Sequence, residues 1–489
     1  MSARRLFYLF VFSFTLSACQ LGPDFHTPEL PLSKTYTSTA LPHTTVATLK
    51  AKQAGEAQTF EPATDIPQDW WTLYRSPELN RLICRGIKNS PTLAAAKATL
   101  RQAEETLNAQ IGRSLYPSVT GQFSGTRQNF VPDTLGLSGI STNFNLYNTA
   151  VNVSYPLDVF GGQHRLVESV RAQTERQYDE TVAAYVTLTA NIVTTAIMNA
   201  SLRAQITATH SLIHAEEENL VIMQKQFALG GVSGTDVLTQ QTQVAQTRAL
   251  LPPLEKNLTL SYDALSVLVG SFPANSDLPQ LTLNELHLPK KLPVSLPSYL
   301  VKQRPDIRAA EATLHQACAQ VGVATANLYP QITLTASYGW FSPSTQDLFS
   351  SSYKSWNYAG QITQAIFNGG ALRAQKRAAV AALEAAEAQY KKTVLQAFQN
   401  VADTLRAIET DAQALQAQQL AETAAQETLK IVQKQYHLGG ANYLAVLTAE
   451  QQYQQTRIKV IQASAARYAD TAALFQALGG GWWHEATQK

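Results

Sequence analysis

The sequence predicts an α+β membrane protein built from two similar halves, each with a pair of strands and a long helical hairpin. Three observations support this fold class. Gln163 to Leu229 and Ala371 to Leu438 each run for about 67 residues without Gly or Pro, and both are rich in residues that favour helix. Short segments with the two-residue alternation of strands precede each run. The same motifs also recur about 209 residues apart.

The repetition is clearest where the long runs end. Residues 224–231 read Gln-Lys-Gln-Phe-Ala-Leu-Gly-Gly, and residues 433–440 read Gln-Lys-Gln-Tyr-His-Leu-Gly-Gly. Leu115–Thr120 is matched in the same way by Leu328–Thr333. We therefore interpret the chain as a tandem duplication. The predicted domains are a signal peptide over 1–18, an extended lipid-anchored segment over 19–68, a first repeat over 69–270, a linker over 271–295, a second repeat over 296–478 and a tail over 479–489.

The N-terminus predicts export from the cytoplasm. Two arginines precede the apolar run Leu6 to Leu16, which is too short to cross a bilayer as a helix and is typical of a cleaved signal peptide. The small residues before Cys19 resemble a bacterial lipobox, which implies that Cys19 becomes the acylated first residue of the mature protein. The alternative is an ordinary signal peptide with an incidental Cys. Gln20, in place of Asp, indicates the outer membrane.

Composition limits the remaining classes. Only 15% of residues are charged and the net charge is +2, which argues against a nucleic-acid surface. Cys84 and Cys318 allow a disulfide in an oxidising compartment, although unpaired thiols on helices are commoner. No Cys or His spacing indicates a metal, so we expect no cofactor. Glu216-Glu217-Glu218 is interpreted as a hydrated helix face.

Four alternating segments predict the strands: Val119–Thr126, Val151–Leu157, Ile332–Trp340 and Trp356–Thr363. Polar loops are expected over 127–148 and 341–355. The alternative is two ordinary hairpins of a soluble sheet. Four strands cannot close a barrel, and an open sheet edge in lipid leaves backbone groups unpaired, so strands that span a membrane require an oligomer.

The remaining elements follow the chain. Gln20 to Pro67 lacks a sustained period and should be extended, and Pro77 marks a helix start. Gly439-Gly440 should end the second long helix, with a return helix over 441–478. The first return helix, from Thr235, should break at Pro252-Pro253.

The sequence combines the opening segment Cys19–Pro28, Trp70-Trp71, the Leu-Gly-Gly turns and the closing segment Ala477–Trp482. With this combination the chain resembles the TolC-like outer-membrane efflux proteins, specifically the lipoprotein branch of OprM and NodT type. The resemblance implies a homotrimer in which each chain gives four strands to a shared 12-stranded barrel and long helices to a periplasmic α-barrel. It implies a passive exit duct for small toxic compounds, partnered by a periplasmic adaptor, a proton-driven inner-membrane transporter and outer-membrane lipid.

The resemblance also assigns candidate residues. The adaptor-contact tips are Leu229, Gly230, Gly231, Val232, Ser233, Gly234, Leu438, Gly439, Gly440, Ala441 and Asn442. Relatives often narrow the tunnel with an Asp where this chain has Thr448. The gate candidates are therefore Thr448 itself and the two nearby acidic residues, Asp236 and Glu450. A solvated helix face is an equal interpretation of Glu450.

No catalytic motif is found, so we expect no enzyme activity. Two alternatives stay open. One is a lipid-anchored periplasmic coiled-coil rod without a pore, and the other is the channel of a protein secretion system.

Overall fold

The computed structural model describes residues 20–28, 35–130, 141–275, 277–295 and 297–483. The predicted signal peptide and Cys19 lie outside these residues. The helices in the described ranges are α1 (Pro77–Asn89), α2 (Pro91–Leu115), α3 (Gly162–Ala228), α4 (Gly234–Arg248), α5 (Leu251–Leu268), α6 (Pro297–Gln303), α7 (Pro305–Ala326), α8 (Ala371–His437) and α9 (Tyr443–Ala477). The strands are β1 (Thr59–Pro62), β2 (Ser118–Phe130), β3 (Thr142–Leu157), β4 (Lys291–Val294), β5 (Gln331–Ser342) and β6 (Lys354–Thr363).

The two long helices are confirmed. α3 and α8 contain 67 residues each, which corresponds to roughly 100 Å of helix at 1.5 Å per residue. By length and composition α3 is apolar enough to cross a membrane, but half of its most apolar window is buried inside the protein, as in a core helix. Its apolar residues therefore serve packing.

The return helices differ as predicted. In the first hairpin, α4 ends at Arg248 and α5 begins at Leu251, with two prolines in its first turn. Proline is tolerated there because first-turn N–H groups have no partner within the helix. In the second hairpin, α9 continues for 35 residues without a break.

The chain forms two compact units. The strand unit contains described residues within 1–29, 99–178 and 309–391, and the helical unit contains those within 30–98, 179–308 and 392–489. Each unit takes segments from both halves of the chain, because packing and duplication divide the molecule differently. The boundaries of the two repeats stay a prediction.

The strand unit contains an antiparallel sheet in the order β2-β3-β5-β6. All four predicted strands are confirmed, and all are longer than expected, the first two most of all. β5 continues to Ser342 and β6 begins at Lys354, so the prediction of a loop over 341–355 was wrong for residues 341–342 and 354–355. β2 continues to Phe130 and β3 begins at Thr142, so the prediction of a loop over 127–148 was wrong for residues 127–130 and 142–148. Residues 127–130 and 142–148 pair across the two strands, which satisfies their backbone groups. Their apolar residues Phe144 and Leu146 lie on the face opposite to Val119 and Val153.

The described part of the predicted extended segment is mostly irregular, with two exceptions, a 3-10 helix over Leu49–Gly55 and strand β1. β1 pairs in parallel with β4, which lies in the predicted linker. This contact joins residues more than 200 positions apart, and a four-residue strand carries too little periodicity to predict it.

Arg467 of α9 holds the N-terminal segment in the helical unit. Its guanidinium is buried and donates to the carbonyl oxygens of Ala54 (2.5 Å) and Glu56 (3.1 Å) and to Oε1 of Gln58 (3.0 Å). Burial lowers the pKa of Arg467 to about 10. The core of this unit includes Trp70 stacked on Phe475, with ring centroids 5.2 Å apart.

Candidate functional site

The sheet has one apolar and one polar face. A row across all four strands joins Val119, Val153, Ala336 and Tyr358. The next row, on the opposite face, joins Thr120, Asn152, Ser337 and Asn357. Side chains of consecutive strand residues point to opposite faces. This arrangement suits a sheet between lipid and water.

Polar contacts cross the strands on the second face. Ser337 Oγ donates to Oδ1 of Asn357 (3.2 Å), and Asn152 Nδ2 donates to Oε1 of Gln122 (3.4 Å). On the apolar face, Val119 and Tyr358 are 64% and 77% exposed within the single chain. An apolar surface of this kind requires lipid or another protein to cover it.

Both hairpin tips end with the same backbone geometry. Gly230 and Gly439 have φ of +75° and +77°, which residues with a Cβ adopt only under strain. The following N–H donates to a carbonyl five residues back, from Gly231 to Gln226 (2.7 Å) and from Gly440 to Gln435 (2.8 Å). This pattern is a Schellman motif. The predicted role of the two glycine pairs as helix ends is confirmed.

The predicted tip residues form two exposed turns. In the first turn Leu229 is 87% exposed, and in the second Leu438 is 78% exposed. Neither leucine contributes to the core of the helical unit. The prediction that these turns contact an adaptor stays a prediction.

Asp236 has a local structural role. Its Oδ2 accepts from the Ser233 N–H (3.1 Å) and hydroxyl (2.7 Å), while its own N–H donates to Ser233 Oγ (3.2 Å). These bonds form a capping box at the start of α4. Asp236 therefore stabilises the helix, and a role in gating stays a prediction.

Thr448 is exposed, and its hydroxyl donates to the carbonyl of Leu444 (2.9 Å) one turn earlier. This contact lies within α9 and joins no second element. Its predicted gate role also stays a prediction.

The solvated interpretation of Glu450 was wrong, since Glu450 is only 5% exposed. The hydrated interpretation of the three-glutamate run was wrong for Glu216, which is 1% exposed. Glu217 and Glu218 behave as expected: Glu217 pairs with Arg248 (2.6 Å), and Glu218 lies 3.5 Å from the ring of His214.

Glu216 and Glu450 are two buried carboxyl groups whose pKa values are both raised. Burial raises the pKa of Glu450 to about 7, and the negative charge of Glu216 adds to this increase. Burial likewise raises the pKa of Glu216, against two hydrogen bonds that lower it. One oxygen of each carboxyl is buried without a hydrogen-bond partner.

Polar side chains of α4 and α9 form a hydrogen-bond network with Glu216. Oε1 of Glu216 accepts from Gln243 Nε2 and Thr247 Oγ1, both at 3.0 Å. Gln243 in turn accepts from Gln451 Nε2 (2.5 Å). Gln240, Gln243 and Thr247 form a polar stripe at helical spacing, which is the signal from which the buried site was predictable.

Residues 20–28 belong to the strand unit. Arg165 is buried and pairs with Asp24 (2.6 Å) and Glu168 (2.8 Å). A Cβ on Gly22 would lie 2.5 Å from the Cα of Gly322, so this contact requires the two glycines. The hydrogen bond from Arg165 lowers the pKa of Asp24.

The two described cysteines, Cys84 and Cys318, are unpaired. Within the residues that the structure describes, no group of three or more His, Cys, Asp or Glu side chains is arranged to hold a metal ion. Cys19 lies outside these residues, so its lipidation stays a prediction.

The family model described as outer membrane efflux protein matches residues 82–271 and 296–480. The chain belongs to this family. This outer membrane efflux protein is 28% identical to the toluene efflux pump outer membrane protein TtgC of Pseudomonas putida, over 99% of this chain and 97% of TtgC. It is 26% identical to the probable outer membrane lipoprotein SilC of Salmonella typhimurium, over 96% and 97% of the two chains.

Among solved structures, the outer-membrane channel OprN superposes with a TM-score of 0.85 at 26% identity, covering 95% of this chain and 100% of that chain. The outer membrane efflux protein therefore has the TolC-like α+β fold. The predictions of an outer-membrane location and of the channel of an efflux system are confirmed. The alternative of a rod without a pore is wrong.

Proposed function

We propose that three copies of this outer membrane efflux protein share one twelve-stranded barrel and form a passive exit duct for small toxic compounds. The two-faced sheet carries this proposal. Its outer strands, β2 and β6, each pair on one side only among the described residues. Unpaired strand edges are not tolerated in lipid, so pairing β6 of one copy with β2 of the next is the favoured closure.

We infer that the tips contact a periplasmic adaptor, which links the duct to a proton-driven inner-membrane transporter. The exposed Leu229 and Leu438 support this assignment, because exposed apolar residues at a helix end suit a helical partner. A duct performs no chemistry, so we assign the chain no enzyme activity. The names of relatives refer to efflux, and no described contact favours a protein cargo.

The first test measures the native mass and the conductance of the full-length protein extracted from separated outer membranes. A trimer that conducts ions in planar bilayers is the expected result. A monomer, or a trimer that does not conduct, contradicts the shared barrel.

The adaptor assignment is tested with Gly440→Glu. The φ of Gly440 is not left-handed, and a Cβ there would lie 3.6 Å from the nearest atom, the carbonyl oxygen of Gln435. The variant should therefore fold and assemble, yet lose efflux because a charge lies at the docking surface. Gly231→Glu is the equivalent change in the first tip. Gln416→Glu, on the exposed face of α8, is the control. Normal drug resistance with Gly440→Glu contradicts this assignment.

Lipidation of Cys19 is supported by the residues that follow it, since Arg165, Gly322 and their neighbours hold residues 20–28 on the strand unit. Labelled palmitate should enter the wild-type protein but not Cys19→Ala. Equal labelling of both proteins rules out Cys19 as the acylated residue.

A further inference from the structure

Two buried carboxyl groups connect the helical hairpins close to their tips. Glu216 lies on α3, twelve residues before the helix ends at Ala228, and Glu450 lies on α9, seven residues after the helix begins at Tyr443. Both are therefore within about four turns of a tip. One group belongs to each hairpin, so their interaction acts between the hairpins.

The two carboxyls have different hydrogen bonding. Glu216 accepts from Gln243 and Thr247 through one oxygen, as an ionised acceptor does. One oxygen of Glu450 is buried without a partner. A buried carboxylate without a donor is unfavourable, so Glu450 is the group that retains a proton.

The neighbouring elements supply no compensating cation in the described part of the chain. α3 contributes Glu216, the charge that acts on Glu450. α4 contributes Gln240, Gln243 and Thr247, which do not titrate, and the Arg248 of this helix pairs with the exposed Glu217. The other titratable neighbours are Tyr443 on α9 and Tyr436 on α8.

We propose that Glu216 and Glu450 form a proton-binding site in which one proton, retained on Glu450, keeps the two hairpins packed together near their tips. Loss of this proton to solvent changes the charge of the pair from −1 to −2. The two carboxylates then repel, and the contact between α3 and α9 loosens. The inference rests on the proposed function in one respect, since it takes the tips as the periplasmic entrance of the channel.

The direction of the pH effect follows from the packed site. There the pKa of Glu450 is raised from 4.5 to about 7, whereas a solvated Glu450 titrates near 4.5. The packed arrangement therefore binds a proton that the loosened arrangement releases between these values. Packing is fully favoured below pH 4.5 and is weakened as the pH rises through 7.

The duplication shows that the site occurs once in each chain. The two repeats are offset by 209 residues. The position in the second repeat that corresponds to Glu216 is Ala425, and the position in the first repeat that corresponds to Glu450 is Gln241. Neither side chain is acidic, so the positions that correspond to the Glu216–Glu450 pair cannot bind a proton. Each chain therefore contributes one such carboxyl pair between its two hairpins.

The test compares wild type, Glu450→Gln and Glu217→Gln in planar bilayers between about pH 5 and pH 8. Conductance of the wild type should rise with pH, by up to about tenfold per pH unit for one proton. Glu450→Gln is permanently neutral and should stay at the low-pH level. Glu217→Gln, an exposed acid beside Glu216, should behave like wild type. A wild-type pH profile in Glu450→Gln overturns the proposal.

A second measurement separates this inference from the proposed function. Spin labels at Leu229→Cys and Leu438→Cys, in a chain with Cys84→Ser and Cys318→Ser, report the distance between the tips. The distance should lengthen from pH 5 to pH 8 in the otherwise wild-type chain and stay constant with Glu450→Gln. An unchanged distance in the former overturns the inference. A pH-dependent distance in a protein that never conducts supports the proton site and contradicts the channel.

Discussion

The two helical hairpins end in the same way but differ in their return helices. Both tips have a left-handed glycine and a Schellman motif. The first return helix breaks at Ala249 and Leu250, and its Arg248 lies on the surface. The second is continuous and carries the buried Arg467. Turn geometry is thus retained because a few local residues determine it, whereas each return helix has adapted to what it contacts.

The strongest test of this difference compares the two arginines. Arg467→Ala removes donors from buried oxygens of residues 54–58 and should destabilise the protein by about 3–5 kcal/mol. Arg248→Ala removes one exposed ion pair and should change stability by less than about 1 kcal/mol. Thermal unfolding followed by circular dichroism measures both. Equal shifts contradict the distinction between buried and exposed arginines.

A second carboxyl pair lies within the second hairpin. Burial and the neighbouring Asp470 raise the pKa of Asp411 from 3.8 to about 7. The folded state therefore binds an extra proton, and the associated stability is present below pH 3.8 and lost as the pH rises through 7. Because Asp411 is half-buried, we expect a loss of about 2 kcal/mol.

Asp411→Asn should flatten this pH dependence in thermal unfolding without changing the pH dependence of conductance, since its pair lies within one hairpin. If Asp411→Asn flattens the pH dependence of conductance as Glu450→Gln does, the distinction between contacts within and between hairpins is incorrect.

The N-terminal caps of the two return helices, α4 and α9, differ in strength. Ser233 exchanges three hydrogen bonds with Asp236, whereas Asn442 accepts one from the Ala445 N–H (3.0 Å). Ser233→Ala should cost about 1 kcal/mol and Asn442→Ala about 0.5 kcal/mol. Hydrogen exchange of the first-turn amides in α4 and α9 measures each effect locally. A larger increase in exchange in α9 with Asn442→Ala than in α4 with Ser233→Ala contradicts this order.

Replacing the prolines that follow the break in the first return helix should have the smallest effect on stability. Pro252 and Pro253 lie where an N–H is not required, so the double change to Ala should alter stability by no more than about 0.5 kcal/mol. Circular dichroism should show the same or slightly greater helicity. A clear loss of helix shows that the prolines are needed to start α5.

Local patterns predicted most of the secondary structure. The absence of Gly and Pro determines α3 and α8, and the glycines at 230 and 439 determine where the hairpins turn. The four membrane strands followed from alternation, because that pattern needs only neighbouring residues. The extensions of β2 and β3 were missed because Phe144 and Leu146 lie on the otherwise polar face, which breaks the alternation of the shorter segments.

The buried site near the tips was not predicted as a unit. Glu216 and Glu450 are 234 residues apart, and their burial depends on which helix faces lie against each other. In the sequence Glu216 is indistinguishable from Glu217 and Glu218, yet only Glu216 faces inward. The pairing of β1 with β4 was missed for a similar reason. Long-range packing decides both features.

The anchoring of the N-terminal segment determines the order in which the molecule is completed. Gly22 packs against Gly322, and the carbonyl of Ala54 requires Arg467. Gly22 and Ala54 therefore reach their native positions only after residues 322 and 467 have been made, and contacts so distant in sequence form slowly. A chain truncated before Arg467 leaves the carbonyls of Ala54 and Glu56 without this donor, so α9 is needed to hold residues 54–58 in place.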